Sequence, residues 1–285
     1  MPGHAGGLCS HLVDKGLQCC LHTGPRGSDD QILNDAAGVG LNVVKAIFTE
    51  MSALFPDDIM HVGFDETTVT ANCTLNMTKS FEEEILKHVA SLGKEPAAWE
   101  EALSTGAAYV EPSMTLQLWT PRHEVTWTNA TNLGFNVLRS DFNIFYLDYD
   151  NRGTAEKIWF NITADERATP EQVQRVHGGE TAMWGDAYTH MGRRGSPSAA
   201  CMFPGSRDAD FGVSAEGCIW PRAAIAAGTW WGFNTQTKDL DAATFNATHS
   251  RLVSRGIASC PCSTLTTNGC NQAQRCGKDY CPAAV

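Results

Sequence analysis

Ile59-Met60-His61-Val62-Gly63-Phe64-Asp65-Glu66 is an apolar run that ends in two adjacent carboxylates. Residues 59–64 read as a buried strand, and in an α/β barrel the residues that follow such strands gather on one face. Upstream, residues 41–55 place Val44, Ile47, Phe48, Met51 and Leu54 at three- and four-residue spacing, one face of a helix. Downstream, Ser80 and Glu83 have capping-box spacing, and Phe81, Ile85, Leu86, Val89 and Leu92 then line one face up to Gly93. Further strands are expected at residues 96–99, 115–119, 136–138 with 144–147, and 176–184. Helices fall between most of them, and two more, at 223–231 and 242–255, close the pattern. Apolar strands separated by helices imply a parallel sheet covered on both faces. About five strands are visible, against the eight of a closed barrel. Internal repeats and low-complexity segments are absent from the sequence.

The chain has 285 residues, 42% hydrophobic and 19% charged, a globular composition. A formal charge of −11 speaks against nucleic acid or anionic membrane as a partner, since both call for clustered Lys and Arg. No membrane span is expected: the longest apolar candidate, residues 218–233, is interrupted by Pro221-Arg222. Met1-Pro2-Gly3-His4 does not open a signal peptide. Eleven cysteines and five glycosylation sequons, at Asn72, Asn76, Asn129, Asn161 and Asn246, nevertheless point to a secreted or lysosomal/vacuolar protein. Cys260, Cys262, Cys270, Cys276 and Cys281 fit no standard zinc spacing and read as a disulfide-rich tail over residues 260–285, following a domain over 1–259.

Neighbours on a regular strand point to opposite sides. Asp65 and Glu66 could therefore serve one pocket only if the chain bends there. Other expected strand ends carry Trp99-Glu100, Trp119, Tyr146-Leu147-Asp148 and Trp184-Gly185-Asp186. One such tryptophan is ordinarily a core residue. A series of them beside acids reads as the wall of a carbohydrate pocket, where rings stack on sugar faces and carboxylates accept from hydroxyls.

His61-Val62-Gly63-Phe64-Asp65-Glu66 resembles the His-x-Gly-Gly-Asp-Glu signature of glycoside hydrolase family 20, the β-N-acetylhexosaminidases. Ala98-Trp99-Glu100-Glu101, Gln117-Leu118-Trp119 and Tyr146-Leu147-Asp148 follow in that family's order, as do residues 178–186 and Trp220-Pro221-Arg222-Ala223. The resemblance implies a (β/α)8 TIM barrel, incomplete here, with about strands 4 to 8 and their helices. It implies an exo-acting hydrolase of terminal N-acetylglucosamine or N-acetylgalactosamine, working by a substrate-assisted retaining mechanism. Glu66 would be general acid and base, and Asp65 would orient the acetamido group. Tyr146 would donate to the acetamido oxygen, and His4 would support the general acid. Trp99, Trp119 and Trp184 would enclose the sugar, with Asp148 and Asp186 on its far hydroxyls. Neither metal nor cofactor is implied. The partners would be N-acetylhexosamine-terminated oligosaccharides or glycoconjugates, with a homodimer possible in the full-length protein.

Three departures accompany the resemblance. Phe64 stands where the family usually has glycine, and Asp186 replaces a common glutamate. Gly228-Thr229 replaces a Glu-Arg pair, which implies a lost ion pair. Met1 aligns with an internal methionine of many family members, so the chain is expected to be a fragment lacking the first three strands, and to be aggregation-prone and nearly inactive alone. Two other readings remain open at this point: an inactive carbohydrate-binding fragment, and a lacto-N-biosidase-like hydrolase of the same family.

Overall fold

A computed structural model describes residues 18–20, 31–34, 38–66, 74–120, 125–147, 158, 167–184, 219–232, 242–257 and 259. Two compact units divide the chain, residues 1–138 with 169–177, and residues 139–168 with 178–285.

The first unit opens with an antiparallel pair, β1 (Gln18–Cys20) and β2 (Gln31–Asn34). Both strands are too short to show an alternating pattern by which they could be foreseen. Then come α1 (Val39–Leu54), β3 (Ile59–His61), α2 (Leu75–Ser91), β4 (Glu95–Trp99), α3 (Glu101–Thr105), β5 (Thr115–Leu118), α4 (Trp127–Asn132), β6 (Asn136–Arg139), α5 (Pro170–Gln174) and β7 (Val176–Gly179). The sheet order is β3-β4-β5-β6-β7, so spatial order follows chain order, as around the wall of an α/β barrel. β3 and β4 pair in parallel with His61 opposite Ala97, and β4 and β5 with Trp99 opposite Gln117. All four residues of β5 are buried, which a strand covered on both faces requires.

Local chemistry explains the helix boundaries. Thr74 caps α2 by accepting the Met77 N–H, and Phe81, Ile85, Leu86 and Val89 form its buried stripe. The expected cap at Ser80 lies instead one and a half turns inside the helix. Leu75 and Met77 are exposed, so the first turn shows no apolar face to read. Thr169 and Gln172 form a capping box on α5 with Pro170 in its first turn.

Three other expectations need correction. In α1 the predicted face is only half covered: Val44 and Phe48 are buried, but Ile47, Met51 and Leu54 are 40, 38 and 65% exposed. Lys45 binds Glu84 of α2 at 2.9 Å. β3 ends at His61 rather than Phe64, because Gly63 and Phe64 take left-handed φ values of 87° and 82°. Its strand residues are also partly exposed rather than buried, as suits the end of the described sheet order. Residues 144–147 are a turn with one isolated bridge, Tyr146 to Ala182, not a continuous strand.

The second unit holds that bridge, the last residues of β6 and β7, α6 (Arg222–Trp230) and α7 (Ala242–Val253). Its core includes Phe145, Leu147, Ile158, Ile225 and Ala226. The Phe145 ring lies 5.3 Å from that of Trp230. Thr229, at the position of the expected lost ion pair, is buried and donates to the Ile158 carbonyl at 2.7 Å. Residues 260–285 lie outside the described residues.

Gly179 is where this packing is tightest. A Cβ there would clash with the Arg139 carbonyl oxygen and with Nε1 of Trp230. Gly179→Ala is therefore expected to destabilise the fold by about 1–3 kcal/mol or more through overpacking. A urea midpoint unchanged from wild type would contradict this close approach.

Candidate active site

The parallel register brings the C-terminal ends of β3, β4 and β5 to one edge, and the chemistry-bearing residues of the first unit follow directly from those ends. After β3 the pairing persists for two more residues: the Val62 N–H donates to Ala97 O, and the Trp99 N–H to Gly63 O at 2.9 Å. The chain then turns through positive φ at Gly63, Phe64 and Glu66, the last at 54°. This supplies the bend that the adjacent acids require. Holding a non-glycine residue such as Phe64 left-handed costs roughly 1–2 kcal/mol. Its ring is fully buried, and losing such a ring costs about 3–5 kcal/mol, so packing outweighs the strain.

Behind this turn stand two aromatic walls. Trp99 meets His61 edge-on at 5.2 Å and Trp119 at 6.2 Å, both with interplanar angles of 70°. His61 Nδ1 accepts the Gly63 N–H at 3.1 Å, so the neutral ring carries its proton on Nε2. Protein packed round the ring pulls its pKa from 6.5 to about 4 although the residue keeps an accessible edge; Asp65 and a hydrogen bond with Gln117 oppose that shift. His61 is thus neutral at physiological pH.

The two acids that follow β4 were quoted in the sequence motif but given no role, and both are buried. Glu100 accepts the backbone N–H groups of Trp119 and Thr120, each at 2.8 Å, and so joins the ends of β4 and β5. Burial, and then the charge of Glu101, push its pKa up to about 8. Glu101 accepts the Glu66 N–H at 3.2 Å and the Trp119 indole N–H at 3.1 Å to each oxygen. Beneath them Glu82 accepts the Thr105 hydroxyl at 2.5 Å, and its other oxygen is buried without a partner. Burial raises the Glu82 pKa to about 8 as well. For Glu100 and Glu101 a positional signal was present, since they follow β4 as Asp65-Glu66 follows β3.

The second unit carries the remaining described candidates. Tyr146 is buried, with its ring 6.1 Å from Trp184 and 5.7 Å from Phe142. Its backbone is held by the exchange of the Leu147 N–H with Ala182 O and the Ala182 N–H with Phe145 O. Arg222, buried at the start of α6, donates to the Leu147 carbonyl at 2.6 Å and fixes the segment directly after Tyr146. Trp184 is half open to solvent. His4, Asp148 and Asp186 lie outside the described residues. Among the described residues, no group of three or more His, Cys, Asp or Glu is arranged to hold a metal, and no helix is long and apolar enough to cross a membrane.

The model of the glycosyl hydrolase family 20 catalytic domain matches residues 1–195. The chain belongs to glycoside hydrolase family 20. Among curated proteins it is 25% identical to the beta-hexosaminidase subunit beta of Sus scrofa, over 96% of this chain and 50% of that one. It is 26% identical to the subunit alpha of Mus musculus, over 81% and 43%. The chain therefore spans half or less of the length of these family 20 relatives. Among solved structures, an exo beta-N-acetylglucosaminidase from Vibrio harveyi superposes with a TM-score of 0.66 at 19% identity, over 91% of this chain and 42% of that one. A mutant beta-hexosaminidase from Streptomyces plicatus, in complex with the product GlcNAc, gives 0.64 at 18%, over 94% and 52%. The five-stranded sheet with its helices is part of the family's α/β barrel.

The buried carboxyls predict a pH dependence. Glu82 and Glu100 keep their protons up to about 8 in the folded chain, whereas an unfolded glutamate loses its proton near 4.5. Between those values the folded state binds more protons, so their contribution to stability falls as pH rises. Glu82→Gln removes the ionisation, and it is expected to raise the urea midpoint relative to wild type more at about pH 8 than at about pH 5. An equal effect at both pH values would refute the raised pKa.

Proposed function

We propose that this family 20 chain acts as an exo-β-N-acetylhexosaminidase. It would remove terminal N-acetylglucosamine or N-acetylgalactosamine with retention of configuration, through attack by the substrate's own acetamido oxygen. The observation that carries the reading is the left-handed turn at Gly63, Phe64 and Glu66, which removes the alternation that would send adjacent acids to opposite sides. Glu66 protonates the glycosidic oxygen and then activates water. Asp65 orients the acetamido group and stabilises the positive charge growing on its nitrogen. Tyr146 donates to the acetamido oxygen, while Trp99, Trp119 and Trp184 enclose the ring. His4 supports the general acid, and Asp148 and Asp186 bind the far hydroxyls and stop the chain of sugars there. Residues 1–259 form the catalytic part and 260–285 a cysteine-rich tail. A secreted or lysosomal location accords with the sequons, two of which, Asn76 and Asn129, are exposed.

The test is hydrolysis of an aryl β-N-acetylglucosaminide by the full-length protein. Glu66→Gln is expected to lower kcat about 10²–10⁴-fold. The matching glucoside, which lacks the acetamido group, should not be turned over. Undiminished turnover by Glu66→Gln would remove the general acid, and efficient cleavage of the glucoside would remove substrate assistance.

A further inference from the structure

We propose that Glu101 is a positioning residue: one buried carboxylate ties the backbone of Glu66 to the indole of Trp119. The inference rests on the hydrolase reading, since it assigns a task to a group that touches neither sugar nor leaving group. Glu101 is 4% exposed and sits at the first position of α3, directly behind the end of β4. Its Oε1 accepts the Glu66 N–H at 3.2 Å, and both its oxygens accept the Trp119 Nε1–H at 3.1 Å. An amide N–H and an indole N–H can only donate, so the group between them must accept from both, which a carboxyl oxygen with two lone pairs does and an aliphatic side chain cannot do.

Each anchored group bears on the proposed reaction differently. Glu66 has φ 54°, a conformation that non-glycine residues hold only when their surroundings impose it, and its backbone angle sets where its carboxyl is aimed. Trp119 is half-buried and stands edge-on to Trp99, so its indole plane shapes the wall offered to the sugar. Glu100 and Glu82, whose interactions with Glu101 raise their pKa after the larger effect of burial, both keep their protons up to about 8. Leucine at 101 would keep similar bulk and present an acceptor to neither donor. Both Glu66 and Trp119 would then be released from the tie.

The experiment compares two β-N-acetylglucosaminides in the full-length protein and its Glu101→Leu variant, one with a dinitrophenyl leaving group that departs without protonation and one with an unactivated phenyl group that needs it. Loss of aim at Glu66 should lower kcat about tenfold or more on the phenyl substrate and much less on the dinitrophenyl one. Loss of the Trp119 wall should raise KM on both. A merely structural role would lower kcat equally on the two substrates, and that result overturns the proposal. A second measurement requires neither activity nor a folded Glu101 variant: the indole N–H resonance of Trp119 in wild type, assigned through Trp119→Phe. A downfield, slowly exchanging signal supports the tie to Glu101, and a rapidly exchanging signal at the free-indole position refutes it. Failure of wild type to cleave either glycoside would count against the hydrolase reading alone, with the indole signal still deciding whether the tie exists.

Discussion

The parallel registration of β3, β4 and β5 is the constraint on which the first unit depends. With His61 opposite Ala97 and Trp99 opposite Gln117, the three strands finish at one edge. Whatever follows each strand is therefore delivered to the same place: Asp65-Glu66, Glu100-Glu101 and Trp119-Thr120. A slip of one residue in either ladder would turn the side chains of one strand to the opposite face. The bonds across these ends, from Trp119 and Thr120 to Glu100 and from Glu66 and Trp119 to Glu101, lock the register from outside the ladder.

Sequence reading captured the repeating part of this architecture well. Strand-sized apolar runs at residues 96–99 and 115–119, and helical spacing at Phe81, Ile85, Leu86 and Val89, are periodic signals that tertiary packing then honoured. It missed whatever rested on conformation rather than pattern. No periodicity reveals that Phe64 or Glu66 takes a positive φ, so β3 was extended three residues too far. Exposed Leu75 and Met77 hid the first turn of α2, and the strand at residues 144–147 proved to be a turn with a single bridge.

Site chemistry was legible in a different proportion. Adjacent acids and tryptophans at strand ends were visible as residue types in order, and the described structure pairs Trp99 with Trp119 and Tyr146 with Trp184. Glu101 was passed over because sequence alone does not separate a buried acceptor from a solvated acid at a helix start. Its partners are a backbone amide 35 residues away and an indole 18 residues away, contacts that only folding creates. Glu82 was hidden for a similar reason: it sits on the buried stripe of α2 between apolar residues, where an acid is rare. Carboxyls placed there are retained at a cost in stability, a pattern commoner at working sites than in plain cores.

Phe64 has an evolutionary consequence. Its backbone favours glycine while its ring fills space that glycine would leave empty. Replacement by glycine would relax the main chain and hollow the interior at once, so that substitution becomes tolerable only after a neighbour has grown to fill the gap. The residue is entrenched by its surroundings, and lineages that carry phenylalanine here should show compensating changes among the side chains that enclose it.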